Sequence, residues 1–216
     1  APANRRGSHR KGGDNVNLDI VNVPMVFPIL GAIDWEDTFL APRGSGERRH
    51  LGQDLIAPKM RPLVAAFDGV VHPIRSAMHN WLTLKGDNGW TAVYMHINID
   101  TPGTKDAKGT DLYAFAPGIV DGARVVAGQL IGFCGDSGNA REVGPHLHFE
   151  LHGPDGEVYN AAPSLRAAKR IEEPVPVTGF GGLRPRSGEV RLDGFVHDTA
   201  PGQATIDLAS STDASG

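Results

Sequence analysis

The 216-residue chain contains a single cysteine, Cys134, which rules out an intramolecular disulfide and a thiolate-rich zinc knuckle. Any metal must then be held by His, Asp or Glu. Within the apolar run Leu130-Ile-Gly-Phe-Cys134, that cysteine is expected to be a small buried core residue. No apolar run approaches the ~20 residues that span a bilayer, so no transmembrane segment is expected. Basic excess is also missing. A formal net charge of −4 excludes a dedicated nucleic-acid binder, which needs a basic face against phosphate. Uninterrupted helix-forming stretches are scarce, and 28 glycines and 16 prolines divide the chain into short segments, a pattern of strands and turns that disfavours an all-helical fold. The apolar fraction of 40% still suffices for a core.

Three stretches differ in composition. Residues 1–16 carry Arg5, Arg6, Arg10 and Lys11 before the first acid, Asp14, and read as a flexible basic N-terminal arm with a capacity to touch anionic wall polymers. Residues 17–170 hold the patterned body. From 171 to 216 the chain turns Pro/Gly-rich, with seven acids against three bases. That stretch reads as an acidic linker and weakly ordered tail, with one short strand at Glu189 to Val196. The chain opens Ala1-Pro-Ala-Asn-Arg5 without an initiator Met or the apolar core of a signal peptide, a pattern that fits a processed chain and an excised segment equally.

The body is written in strands. Val64–Val71, Trp81–Lys85, Thr91–Met95, Val125–Val126, Gln129–Cys134 and Leu147–Leu151 are short, β-branched or aromatic, and bounded by Gly, Asn, Asp or Pro. Asp87-Asn-Gly-Trp90 predicts a hairpin turn with positive φ at Asn88 and Gly89. The one helical stretch is Ala161 to Arg170, with Pro163 in its first turn.

Histidines carry the chemistry. In Gly-Pro-His146-Leu-His148-Phe-Glu150, the two imidazoles two positions apart on a strand project from one face. A second cluster, His50-Leu-Gly-Gln-Asp54, lies about a hundred residues earlier, and Tyr94-Met-His96 lies between them. Gly52 and Pro58 argue against a helix there and for a loop entering a strand at Asp54. Three N or O donors with one water make an open catalytic zinc site, and two histidines are left for proton transfer. Glu150 shares the parity of His146 and His148 and is a candidate acceptor behind an imidazole.

In order along the chain, Arg49-His50-Leu-Gly-Gln-Asp54-Leu-Ile-Ala-Pro58, Val64-Ala-Ala-Phe-Asp-Gly-Val-Val71, Asn88-Gly-Trp-Thr-Ala-Val-Tyr-Met-His96, Val126-Ala-Gly-Gln-Leu-Ile-Gly-Phe and Gly144-Pro-His-Leu-His-Phe-Glu150 resemble the LytM or lysostaphin-type zinc endopeptidases. The likeness runs from about Pro24 to Ser164. It implies a mainly β fold, an antiparallel sheet or sandwich of the LytM type (hybrid barrel-sandwich) with few short helices. It further implies that His50, Asp54 and His148 bind one Zn2+ per chain, that His96 and His146 are catalytic, and that the substrate is the peptide stems of bacterial peptidoglycan. An exported location follows: extracellular, periplasmic or cell-wall associated. The family also contains noncatalytic wall-binding or hydrolase-activating modules, and loss of a zinc ligand is the feature that separates them.

The chain departs from the family in a longer connection after His96, through Asp100-Thr-Pro-Gly-Thr-Lys-Asp-Ala-Lys-Gly-Thr and Ala114-Phe-Ala-Pro-Gly. Such a loop beside a catalytic histidine is expected to wall the substrate groove. His9, His72, His79 and His197 read as solvated or capping residues and His152 as a groove-rim residue. No chemistry is assigned to the Arg43–Arg49 loop; Arg48 and Arg49 could meet an acidic substrate, but exposed loop arginines more often meet water, and that is the expectation.

Overall fold

A computed structural model of the chain describes residues 15–176 and the backbone of Val196–Ala200 and Gln203–Ile206. Two units are separated after Pro176. The second contributes one antiparallel hairpin from its described residues, Val196–Ala200 with Gln203–Ile206. The expected basic arm lies outside the described residues up to position 14, as does most of the strand expected at Glu189 to Val196.

The first unit is mainly β. Its strands are β1 (Val16–Asn17), β2 (Pro42–Arg43), β3 (Arg48–Arg49), β4 (Gln53–Ile56), β5 (Pro62–Val64), β6 (Gly69–Arg75), β7 (Asn80–Gly86), β8 (Thr91–Ile97), β9 (Ala123–Val125), β10 (Leu130–Phe133), β11 (His146–His152) and β12 (Val158–Tyr159). One helix, α1 (Ala162–Ala167), is shorter than the expected span of 161–170, because the backbone is already extended at Ala168. The main sheet runs β1-β12-β11-β8-β7-β6-β9, with β4 paired to the other half of β11. Its pairings are antiparallel except for the two-residue contact of β1 with β12. A second layer holds the β5–β10 pair.

Strand alternation divides the chemistry from the core. On β11, Leu147, Phe149 and Leu151 are fully buried, joined by Leu55 of β4, Leu82 and Leu84 of β7 and Tyr94 of β8. Each such side chain contributes on the order of 2 kcal/mol by leaving water. Period two then forces His146, His148, Glu150 and His152 to the opposite face. Tyr94 fastens the layers: its hydroxyl donates to the Val64 carbonyl at 3.1 Å and accepts from the Ala66 N–H at 2.8 Å, and its ring meets Phe149 edge-on at 5.3 Å.

Three local expectations change. The run Val64–Val71 is not one strand, because it breaks at Ala65–Asp68, whose Ala65, Ala66 and Phe67 turn into the core between β5 and β6. In the turn after β7 only Gly89 has positive φ, at 83°; Gly86 N–H to Trp90 O (2.8 Å) and Gly89 N–H to Gly86 O (3.0 Å) close a longer loop than a two-residue turn. The connection after β8 is only partly an insertion: Ala114, Phe115, Ala116 and Ile119 are core residues. Cys134 is buried as expected, and burial pushes its thiol up to about 12.

Candidate active site

Asp54, on β4, and His148, on β11, are directly paired across the sheet, and Met95 of β8 lies opposite His148 on its other side. His50 precedes β4. Its N–H and carbonyl pair with Ala41 and Leu40, so it extends the β2–β3 hairpin and is 4% exposed. Gly52 has a steric reason. A Cβ there would stand 2.4 Å from the Phe149 carbonyl oxygen and 2.9 Å from the His148 ring, so only glycine lets the loop press onto β11.

Three lone pairs converge. His50 Nε2 is 3.0 Å from Asp54 Oδ1 and 2.9 Å from His148 Nδ1, and the last two are 3.0 Å apart. His50 Nδ1 faces the Thr38 hydroxyl at 2.8 Å and the Thr38 carbonyl at 3.0 Å; both oxygens can accept from an Nδ1–H, the tautomer that leaves Nε2 bare. His148 Nε2 faces the Glu150 carboxylate at 3.0 Å, so its Nδ1 is bare when the ring is neutral. Two unprotonated nitrogens and a carboxylate oxygen at such distances repel one another unless a proton or a cation sits among them. His50, Asp54 and His148 therefore fit a metal ion, and within the described residues they form the one such donor group.

Without a metal the proton does this work. Burial by itself lowers the basicity of His148, but hydrogen bonds to Asp54 and Glu150 outweigh it and raise the ring to about 9. Burial likewise opposes ionisation of Asp54, yet the bond to His148 first and the adjoining His50 imidazole next hold its carboxyl far below the usual range. Glu150, buried between His148 and His152 (2.8 Å), overcomes its own burial through those two bonds and drops to about 2.

His96 and His146 stand beside the triad. His146 Nδ1 donates to the Gly144 carbonyl at 2.9 Å, and its Nε2 lies 3.6 Å from Asp54 Oδ1. His96 Nδ1 donates to the Ser137 carbonyl at 2.8 Å. Their rings lie 4.6 Å apart, centre to centre. In a neutral ring that Nδ1 bond leaves Nε2 bare, the form that can take a proton. Burial first, and the neighbouring His146 next, push His96 down to about 4 against the Ser137 carbonyl, which raises it. His96 reaches this face through a bulge. The register of β8 against β7 slips between Asn80 and Leu82, and His96 has a φ of 62°. Met95, opposite His148, already holds the site-face position, and an unbroken strand would have turned His96 inward.

All five residues singled out from the sequence come together, as does Glu150. Sequence reasoning missed Arg43, whose Nη2 donates to Asp54 Oδ2 at 2.5 Å, and Thr38. It could not see the carbonyls of Thr38, Ser137 and Gly144, which face the Nδ1 atoms of three imidazoles, because any residue type supplies a carbonyl. Among the other histidines, His72 bonds Asp121 at 2.7 Å and His79 lies exposed beside Gly138.

On this two-layer β fold, the histidine–aspartate triad with two further imidazoles beside it makes a candidate metal centre. The chain belongs to peptidase family M23, whose sequence profile matches residues 48–161. It is 29% identical over 170 residues to an L-Ala–D-Glu endopeptidase of Bacillus subtilis, covering 72% of this chain and 47% of that protein. Over 108 residues it is 32% identical to the peptidoglycan DD-endopeptidase ShyC of Vibrio cholerae, covering 48% of this chain and 20% of that protein. The chain thus spans under half the length of either relative. Among solved structures, a LytM protein of Ruminococcus gnavus shares the fold at a TM-score of 0.50 and 25% identity, over 68% of this chain and 62% of that one. No helix among the described residues is long and apolar enough to cross a membrane.

Proposed function

We propose that the protein is a zinc-dependent endopeptidase that hydrolyses peptide cross-links of bacterial peptidoglycan and works outside the cytoplasm, in the periplasm or at the wall. The observation that carries this reading is the convergence of three bare donors beside two more bare imidazoles. A noncatalytic module has no need to keep His96 and His146 in acceptor form next to a complete triad. The relatives named as endopeptidases support the peptide substrate.

In this reading His50, Asp54 and His148 would hold one zinc ion, which would supply Lewis acidity to a water molecule and to the scissile carbonyl. His146, 3.6 Å from Asp54, takes the proton of the attacking water on Nε2 and returns it to the leaving amine. His96, kept neutral at pH 7 by burial, accepts a hydrogen bond from the attacking water on its bare Nε2 and helps orient it, while the one proton in play passes from water to His146 and on to the leaving amine. Arg43 keeps Asp54 Oδ2 engaged and leaves Oδ1 for the ion. Glu150 orients His148 from behind.

The test is digestion of purified walls of differing cross-bridge chemistry by the zinc-loaded protein, with the released peptides identified by mass spectrometry. His146→Ala should keep about one zinc per chain and lose ~100-fold or more in turnover. A zinc-loaded parent that releases no peptide from any wall would overturn the endopeptidase reading.

A further inference from the structure

The β2–β3 hairpin sets two arginines against each other. Arg43 and Arg48 are directly opposite partners in its antiparallel ladder, so both side chains leave the same face, with Cβ atoms about 5 Å apart. That face is turned toward the triad, because Arg43 reaches Asp54. His50 follows Arg48 by two positions and continues the ladder through Ala41 and Leu40, which puts its ring on the same side.

Like charges directly opposite on a hairpin destabilise it unless an anion lies between them. Asp54 serves Arg43 alone and is already committed to His50 and His148. Glu47, the nearest acid in sequence, folds back toward Gly44 and pairs with neither guanidinium. Arg48 is exposed and has no ion-pair partner among the described residues. The hairpin nevertheless keeps its shape, through the Gly46 N–H to Arg43 carbonyl bond at 3.1 Å. A local rule is broken beside a reactive centre, which is where function is expected to break one.

We propose that Arg48, with the free N–H groups of Arg43, forms a carboxylate subsite flanking the metal triad, and that it selects peptides bearing a free carboxylate next to the scissile amide. The inference rests on the endopeptidase reading and sharpens it. A dicarboxylic or diamino acid joined through its side chain keeps such a carboxylate, whereas a glycine bridge has none. A guanidinium is the fitting group, since its planar fork meets a carboxylate with two parallel N–H bonds.

The experiment uses the full chain loaded with zinc and two cross-linked peptides that differ only in a free carboxylate or its carboxamide beside the scissile bond. Equilibrium binding by calorimetry is read separately from cleavage. The parent should bind the acid about tenfold more tightly than the amide, a gap that narrows as salt is raised. Arg48→Gln should reduce that ratio to below about twofold at unchanged zinc content, and Arg48→Lys should restore part of it. In cleavage the same loss should fall on KM more than on kcat. Equal binding of acid and amide by the parent, or an equal weakening of both in Arg48→Gln, would overturn the subsite while leaving the endopeptidase intact. Selective binding of the acid without cleavage of either peptide would support the subsite and count against the catalytic reading.

Discussion

At the scale of single residues, the triad makes a sharp statement about protons. His148 at about 9 sits above the ~6.5 of a free imidazole, so in metal-free protein its interaction contributes stability that is complete below pH ~6.5. That stability is lost as pH rises toward 9. Asp54 is the other half of the same bond. Its depressed value means that its contribution, present above pH ~4, disappears only on strong acidification. A zinc ion held there would replace the shared proton, so zinc affinity should climb by up to about tenfold per pH unit between pH 6.5 and 9, over the window in which the metal-free protein weakens. Thermal melts and zinc titrations at both pH values check this; a metal-free chain more stable at pH 9 than at 6.5 would contradict it. His96 supports a second prediction. Its φ of 62° belongs to a region that glycine enters freely and alanine enters at a cost of ~1 kcal/mol. His96→Gly should therefore be more stable than His96→Ala by about that amount, with both inactive. Denaturant midpoints of the two variants measure the difference, and equal midpoints would show that the bulge stores no strain.

At the scale of elements, the parts legible from sequence are those with a period. Leu147, Phe149 and Leu151 against His146, His148 and Glu150 follow from strand alternation alone, and Gly52 between His50 and Asp54 correctly excludes a helix. The bulge at His96 was not legible, because Tyr94-Met95-His96 has the same residues whether or not the strand slips. The connection after β8 was half legible. Its exposed part is held by a buried charge cluster: Asp100 and Asp136, both fully buried, face Lys59 and Arg141, with Lys59 3.0 Å from Asp136 and Arg141 3.2 Å from Asp100. Asp100 also accepts the Ala107 N–H at 2.6 Å, which folds residues 100–107 into a fixed arch. Sequence distance hides such a cluster, since its members lie between positions 59 and 141. Removing one partner strands the opposite charges, so Asp100→Ala should cost about 3 kcal/mol. The residues that follow Asp100 share a cleft of about 210 Å³ with Arg75, Ser76 and Asn80. If they wall the groove, Asp100→Asn, which keeps the size and part of the hydrogen bonding, should change the ratio of cleavage between glycine-bridged and directly cross-linked peptides more than it changes zinc content. An unchanged ratio in a folded, zinc-loaded variant would make the arch a stabilising element alone.

At the scale of the whole molecule, the question is where the working unit ends. Composition changes at Ile171, yet packing does not stop there. Lys169 exchanges backbone bonds with Met25 and Phe27, Arg170 stacks over the Phe27 ring at 3.9 Å, Ile171 packs against Val26, Leu30 and Val64, and the Val175 N–H bonds the Gly128 carbonyl at 2.9 Å. The Pro-rich segment through Pro176 is thus a strap across the second layer, although its composition reads as a linker. Every residue proposed for the site lies before it, and the division between the two units falls after Pro176. A chain ending at Pro176 should melt within about a degree of the full chain's first unit, bind one zinc and cut cross-linked peptides at the parent rate. A chain ending at Arg170 should lose the Ile171 and Val175 contacts, on the order of 1 kcal/mol in these half-buried positions, and melt about 2–4 °C lower. It should still bind zinc, since no donor has moved. Calorimetric melts of the three lengths decide the matter. If the Pro176 chain folds and binds zinc but does not cut soluble cross-linked fragments, residues beyond 176 complete the site and the proposed boundary is wrong.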